Sequence, residues 1–250
     1  MFRSIVAVFC CTVILASAES FADNIPAKPG VYKQEIAHSY GTDDGLGAQE
    51  VQRVSLDPQG QVVAETAEGQ YIFDGKNWEK ASIKKYHSRF IDQLNQSQRK
   101  IRTRQVFTRA NGITLVATQN GLFEVTPDGE RKKLKFDDGM GRSWATSDVR
   151  GVDEDNEGRI WVATLAGIVC ADGDQVKTYT GQDGLPYNDF TSVHCAEDGS
   201  VWFSTHKGII RFKDDQWAYR QGKRWLPDDD VHNVVVDAAG DVWVATKNGV

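Results

Sequence analysis

The hydrophobic and polar positions of this chain follow one short pattern that recurs five times. Each copy opens on a polar turn ending in Gly, runs through a largely apolar stretch to a Thr, passes two variable residues and closes on a second Gly. The clearest copy is Gly158-Arg159-Ile160-Trp161-Val162-Ala163-Thr164-Leu165-Ala166-Gly167. It returns as Gly199 to Gly208, with Trp202, Ser204 and Thr205, and as Gly240 to Gly249, with Trp243, Ala245 and Thr246. Two weaker copies lie upstream, Gly60 to Gly69 with Thr66 and Gly112 to Gly121 with Thr118. Successive first glycines stand 52, 46, 41 and 41 residues apart, and in every copy the Thr comes six residues and the second Gly nine residues after the first. A fixed period near 41 residues with strand-like content predicts a propeller blade per repeat.

The fourth repeat shows the grammar of one blade. Gly184 to Asp189 reads as an entry loop, Phe190 to Ala196 as a first strand and Glu197-Asp198-Gly199 as a hairpin turn, for which Asp-Gly supplies the positive φ. Val201 to Thr205 and Ile209 to Phe212 read as second and third strands around the His206-Lys207-Gly208 turn. Asp214-Asp215 then turn the chain into an outer fourth strand holding Trp217 and Tyr219. The predicted fold class is therefore all-β: a β-propeller of four-stranded antiparallel blades of about 41 residues. It is expected to be incomplete at the C-terminus, because the chain stops at Val250, one residue into the third strand of the fifth unit. Val63, Leu115, Trp161, Trp202 and Trp243 occupy one column of the repeat and are expected to be core, with the small Ala or Ser before each Thr letting neighbouring sheets approach.

Three segments follow along the chain. Arg3, an apolar run from Ile5 to Leu15 and the small-residue sites Ala16-Ser17-Ala18 and Ser20-Phe21-Ala22 read as a cleaved signal peptide over residues 1–22. The run is shorter than a bilayer span needs. The mature protein is thus expected to be exported, periplasmic or extracellular. Residues 23–40 form a polar lead-in, with Val31 to Tyr40 a candidate ring-closing strand, and residues 41–250 carry the repeats. Between Ala81 and Gln105 an extension carries Lys84, Lys85, Arg89, Arg99, Lys100, Arg102 and Arg104 against Asp92 alone, either a solvated decoration or a patch for an anionic partner.

The net charge of −6 and pI near 5.4 argue against nucleic acid or an anionic membrane surface as a partner. Export leaves Cys170 and Cys195 where a disulfide could persist, but the simpler reading is two small buried hydrophobes. No cofactor, metal or catalytic constellation is expected. Asp153-Glu154-Asp155-Asn156-Glu157-Gly158 imitates half a calcium loop, yet Thr164 stands where a bidentate carboxylate is required, so it reads as a hairpin turn. His38, His87, His194, His206 and His232 have no ligand spacing, and Asn95-Gln96-Ser97 is a sequon that matters only in a eukaryotic secretory pathway. In a propeller, the loops before each first strand and between second and third strands emerge on one face. That face gathers the candidate ligand-binding residues Arg142, Trp144, Tyr187, Asn188, His206, Lys207, Asp228, Asp229, Lys247 and Asn248. Asp148, Asp189 and Asp230 recur at one repeat position and read as local ties of the loop backbone.

Gly184-Leu185-Pro186-Tyr187-Asn188-Asp189-Phe190-Thr191-Ser192-Val193, then Glu197 to Thr205, then Gly208-Ile209-Ile210-Arg211-Phe212, resembles the two-component regulator propeller repeat. Leu226 to Val231, Trp144 to Val149 and Asp43-Asp44-Gly45-Leu46 carry it in other units. The resemblance covers residues 41–250 and implies a ligand-binding sensor outside the inner membrane. Relatives often continue into a membrane helix and a kinase, cyclase or phosphatase, and several sense oligosaccharides. The resulting expectation is a non-enzymatic recognition propeller for a small molecule or oligosaccharide, touching a membrane only through segments not in this chain. The alternatives are a secreted lyase-like propeller enzyme using His206 or His232, and a scaffold that binds a protein partner along its blade edges or basic extension.

Overall fold

The computed structural model describes residues 35–81, 103–137 and 143–250, with Asp137, Ser143 and Trp144 described by backbone alone. These residues form an all-β propeller. Its four-stranded antiparallel blades are β1 to β4 (Val51–Leu56, Val62–Thr66, Gly69–Phe73, Trp78–Lys80) and β5 to β8 (Thr103–Thr108, Thr114–Thr118, Gly121–Val125, Arg131–Lys133). Then come β11 to β14 (Val149–Glu154, Ile160–Thr164, Gly167–Asp172, Gln175–Tyr179) and β15 to β18 (Phe190–Cys195, Val201–Thr205, Gly208–Lys213, Gln216–Arg220). A small hairpin of β9 (Phe136–Asp137) and β10 (Ser143–Trp144) sits between blades two and three. The fifth sheet has β19 (Val231–Val236) and β20 (Val242–Thr246).

Val250 opens the third position of that fifth sheet, and its N–H and C=O pair with the C=O and N–H of Tyr40 at 3.0 and 2.8 Å. Tyr40 therefore stands where Tyr179 and Arg220 end the fourth strands of blades three and four. The expected ring-closing strand is reduced to this one residue among those described: residues 35–39 form no strand, and 31–34 lie outside the described residues.

The Thr and second Gly of each repeat build one turn. Thr66, Thr118, Thr164, Thr205 and Thr246 each donate their hydroxyl to the carbonyl of the Gly three residues on, at 2.8–3.3 Å. Each also accepts an N–H from the residue two ahead. At Gly208, with φ of 119°, a side chain is doubly excluded, because a Cβ there would stand 2.3 Å from the Arg220 carbonyl.

The Trp column is core in part. Leu115 is fully buried and Trp161 is 2% exposed, whereas Val63, Trp202 and Trp243 are half-buried. The indoles reach outward to the hairpin turn: Trp161 Nε1 donates to Asp155 at 2.7 Å, Trp243 Nε1 to Asp237 at 2.8 Å and Trp202 Nε1 to Ser200 Oγ at 2.9 Å. Asp155 also accepts from the N–H groups of Glu157 and Arg159, which makes the calcium-like sequence a hairpin turn.

Around the axis, each first strand carries a bulge after its first residue. In blades four and five the third residue grips the next blade. Asn233 exchanges two hydrogen bonds with the backbone of Val54, at 2.7 and 2.8 Å, and Ser192 Oγ accepts from Val234 N at 3.2 Å. In blade three this residue is Gly151. Gln105 of blade two reaches past it and exchanges bonds of 2.7 and 3.0 Å with Val193 of blade four. A Cβ on residue 151 would stand 2.7 Å from Gln105 Oε1.

Candidate functional site

The turn after each second strand meets the loop that enters the next blade's first strand. Asp148 N donates to Gln119 O at 2.9 Å, Asn188 Nδ2 to Leu165 O at 2.6 Å, and Gln49 Nε2 to Asn248 O at 3.0 Å. At the fourth turn His206 Nδ1 lies 2.6 Å from Asp230 Oδ1. The predicted loop face therefore exists, and it is most developed from blade three to blade five.

Its centre is Tyr187, whose ring lies 5.2 Å from that of Tyr219, with Lys207 Nζ 5.1 Å above it. Tyr219 Oη donates to the Lys207 carbonyl, tying the turn to the outer strand, and burial pushes its pKa up to about 12. Beside the pair, Ala166, Gly167, Gly181, Leu185, Tyr187 and Asn188 line a shallow cleft of about 190 Å³. Thr180 and Pro186 complete its lining, and Lys207 stands over the Tyr187 ring at its edge. Leu165, one of the exposed large hydrophobics, stands on the same turn as Ala166. Such a surface suits a flat polar molecule with one apolar face.

Of the predicted residues, Tyr187, Asn188, His206 and Lys207 come together here. Asn248 Nδ2 donates to Asp228 at 2.7 Å, so these two brace the entry to blade five, and Lys247 extends from the same turn. Asp229 accepts from Gly222 N at 2.6 Å, and its charge adds to the rise in the Tyr219 pKa. For Trp144 the structure gives only the backbone, paired with Phe136, and Arg142 lies outside the described residues. So does the basic extension from residue 82 to residue 102.

Two of the three recurring aspartates are not local ties. Asp230 pairs with His206, and Asp148, held at φ of 50°, pairs with Arg104 at 2.5 Å and Arg150 at 3.0 Å. The reason is the neighbouring blade, which brings Arg104 to Asp148 and His206 to Asp230. Asp189 contributes its carbonyl, which accepts from His206 N at 3.2 Å. Tyr219, Asp230 and Leu165 were missed from the sequence. The only signal for Tyr219 was its place on the outer strand next to the entry loop.

His232 and the thiols are engaged elsewhere. His232 Nδ1 donates to Val51 O at 2.8 Å in the axial belt. Cys170 and Cys195 are free thiols, buried and half-buried, and burial raises the pKa of both, that of Cys170 to about 11. Among the described residues no group of three His, Cys, Asp or Glu is placed to hold a metal, and no helix is long and apolar enough to cross a membrane.

No protein-family pattern matches this chain, and no curated protein does. Among solved structures, the chain is similar to the extracellular domain of the hybrid two component system BT3049 from B. thetaiotaomicron, at 17% identity and a TM-score of 0.52 over 83% of this chain and 33% of that one. Virginiamycin B lyase from Staphylococcus aureus (12%, TM-score 0.45, 79% of this chain and 64% of that one) also aligns. So does PorZ of the type-IX secretion system of Porphyromonas gingivalis (12%, TM-score 0.45, 87% and 33%). The chain spans about a third of the BT3049 domain, and what the likeness to that domain shows is a shared β-propeller fold.

Proposed function

We propose that this chain is a non-enzymatic ligand-recognition propeller of the two-component regulator kind, the sensor part of an extracytoplasmic signalling protein. It is exported behind the leader at residues 1–22, and its loop face from blade three to blade five takes a small molecule or oligosaccharide. The observation that carries this reading is the Tyr187–Tyr219 pair, with rings 5.2 Å apart beside the cleft and ringed by Asn188, His206 and Lys207. Ring faces stack on the apolar face of a sugar, while the amide and charged groups answer its hydroxyls. The fold shared with the BT3049 extracellular domain supports the sensor part of the reading, and the leader supports export.

Titration calorimetry against a panel of neutral and charged oligosaccharides tests it. A panel member is expected to bind and to lose about tenfold in affinity on Tyr187→Ala, the size of one lost stacking contact. Binding unaffected by that change, or none across the panel, would overturn the reading.

The His206–Asp230 pair gives the enzyme alternative its one specific support, since a carboxylate that orients an exposed imidazole is an acid–base arrangement. Incubating bound ligands with the protein and following them by mass spectrometry separates the two readings. Intact ligand after many hours leaves recognition, and product that disappears with His206→Gln establishes turnover.

A further inference from the structure

The second residue of each first strand is the one that the bulge leaves out of the ladder: Gln52, Arg104, Arg150, Thr191 and His232. Three of them reach the start of the next blade's first strand. Arg104 Nη2 meets Asp148, the residue before β11, at 2.5 Å. Thr191 Oγ1 donates to Val231 O at 2.7 Å, and His232 Nδ1 to Val51 O at 2.8 Å. Arg150 turns to the same Asp148 from its own strand, at 3.0 Å. One residue further into β5, Gln105 crosses from blade two to Val193 of blade four, so the axis there is spanned by one glutamine side chain. The bulged residues therefore form a belt at the loop-face end of the axis, with Gln105 as its floor. Gln52 is exposed and the other four are half-buried, so solvent enters it.

Negative charge is short in this belt. Arg104 and Arg150 share Asp148, and two guanidiniums against one carboxylate leave one positive charge, in a chain whose net charge is −6. Glu50 lies on the far side, 4.0 Å from His232 Nε2 and mostly exposed. A guanidinium carries five N–H donors, and Asp148 takes one of Arg150's, at Nη2. Arg150 Nε is buried and has no hydrogen-bond partner among the described residues. A buried donor of this kind calls for an acceptor, and the one that also answers the spare charge is an anion.

We propose that the axial belt binds a small inorganic oxyanion, phosphate or sulfate, held by Arg150 with the Arg104 guanidinium beside it. Such an ion has enough oxygens to accept from both guanidiniums at once, and it joins blades two and three at the axis. Asp148 competes with it for the same two side chains. The inference does not rest on the oligosaccharide reading, because Tyr187, Asn188, His206 and Lys207 are not members of the belt.

The test titrates sodium phosphate, sodium sulfate and sodium chloride into the whole chain at matched ionic strength, by calorimetry and by thermal unfolding. Phosphate and sulfate are expected to bind at about 1 mM or tighter and to raise the unfolding temperature, and chloride to do neither. Arg150→Gln is expected to weaken both oxyanions about tenfold. Asp148→Asn removes the competing carboxylate at a backbone φ of 50° that Asn tolerates, and is expected to tighten both by at least about threefold. A purely structural ion pair predicts no oxyanion binding in either protein. Lys207→Gln, a loop-face cation off the belt, is expected to leave both affinities unchanged. If Arg150→Gln fails to fold, Asp148→Asn decides alone. Chloride as effective as phosphate, or weaker oxyanion binding in Asp148→Asn, would overturn the site. Loss of binding in Lys207→Gln would move the anion to the cleft beside Tyr187 and overturn the belt. Phosphate binding that persists while every sugar fails would overturn the oligosaccharide reading and leave the belt standing.

Discussion

Blades three and four meet across one seam and blades five and one across another, and the two seams are chemically unlike. Trp161, Tyr179, Phe203, Phe212 and Trp217 fill the first, and Tyr40, Phe73, Trp78 and Trp243 fill the second. At the third position of the first strand, the blade five–one seam has Asn233, which binds the neighbouring backbone directly. The blade three–four seam has Gly151 there, so Gln105 supplies the same two bonds from a blade further away. At the fifth position the seams hold Val235 and Asp153 respectively. The comparison teaches that the backbone groups facing the axis set a fixed demand. The demand can be met by a neighbour or by a longer side chain reaching past it, and the second solution couples blade two to blade four.

The largest effect is expected from the rings. Trp161→Ala should cost about 5 kcal/mol, combining a cavity in a filled seam with the loss of the indole donor to Asp155. Trp243→Ala, at a half-buried ring, should cost about half of that. Urea unfolding of the two variants measures the difference, and equal losses would contradict the ranking of the seams.

Next in size is a pH effect that only the blade three–four seam should show. Burial raises the Asp153 pKa from 3.8 to about 7, against the pull of its bonds from the N–H groups of Cys195 and Glu154. His194, whose Nδ1 lies 3.5 Å away, is held below its ordinary value, first by burial. Between about pH 4 and pH 7 the folded chain therefore keeps a proton on Asp153 that the unfolded chain has released. Stability contributed by Asp153 should fall as pH rises through that window, by on the order of 3 kcal/mol. His194 works in the opposite direction, its contribution being lost as pH drops below about 6.5. Glu154 and Asp155 add negative charge on the same strand and turn. The difference between wild type and Asp153→Asn isolates the carboxyl, and unfolding at pH 5 and pH 8 reads it. An unchanged difference at the two values would remove Asp153 as the cause.

How much of this was legible in the sequence depends on distance along the chain. The six- and nine-residue spacings located every second strand and its turn, because Thr and Gly act within four residues of each other. The loop face followed from the repeat, and Tyr187, Asn188, His206 and Lys207 were found on it. Gln105 and Val193 are 88 residues apart, and no local pattern marks a side chain that serves a blade beyond its neighbour. Asp148 and Asp230 misled for the opposite reason, since their recurrence suggested one shared role. The structure gives each a different partner, Arg104 and Arg150 in one case and His206 in the other.

The axial bonds come third. Gln105→Ala and Asn233→Ala each strand one backbone N–H and one C=O near the axis, and each should cost about 2 kcal/mol. They differ in what else they disturb. Gln105→Ala should also raise hydrogen exchange at Val193, two blades away from the changed residue. Asn233→Ala should leave Val193 protected and expose Val54. Exchange changes confined to the mutated blade in both variants would break the idea that Gln105 bridges past Gly151.

The smallest effect tests what the seams share. Thr164 and Thr246 lock the second turns of blades three and five with bonds of 2.9 and 2.8 Å to Gly167 and Gly249, and both side chains are buried. Val keeps the branched shape and removes the hydroxyl, leaving the Gly carbonyl and the N–H of Ala166 or Asn248 without that partner. Each Thr→Val change should cost about 1 kcal/mol, and the two costs should agree within a few tenths. Agreement would assign the contrast between the seams to their axial and ring residues. A much larger loss at Thr246 would instead show that the Tyr40–Val250 pairing beside this turn depends on it more heavily than the blade-three strands depend on theirs.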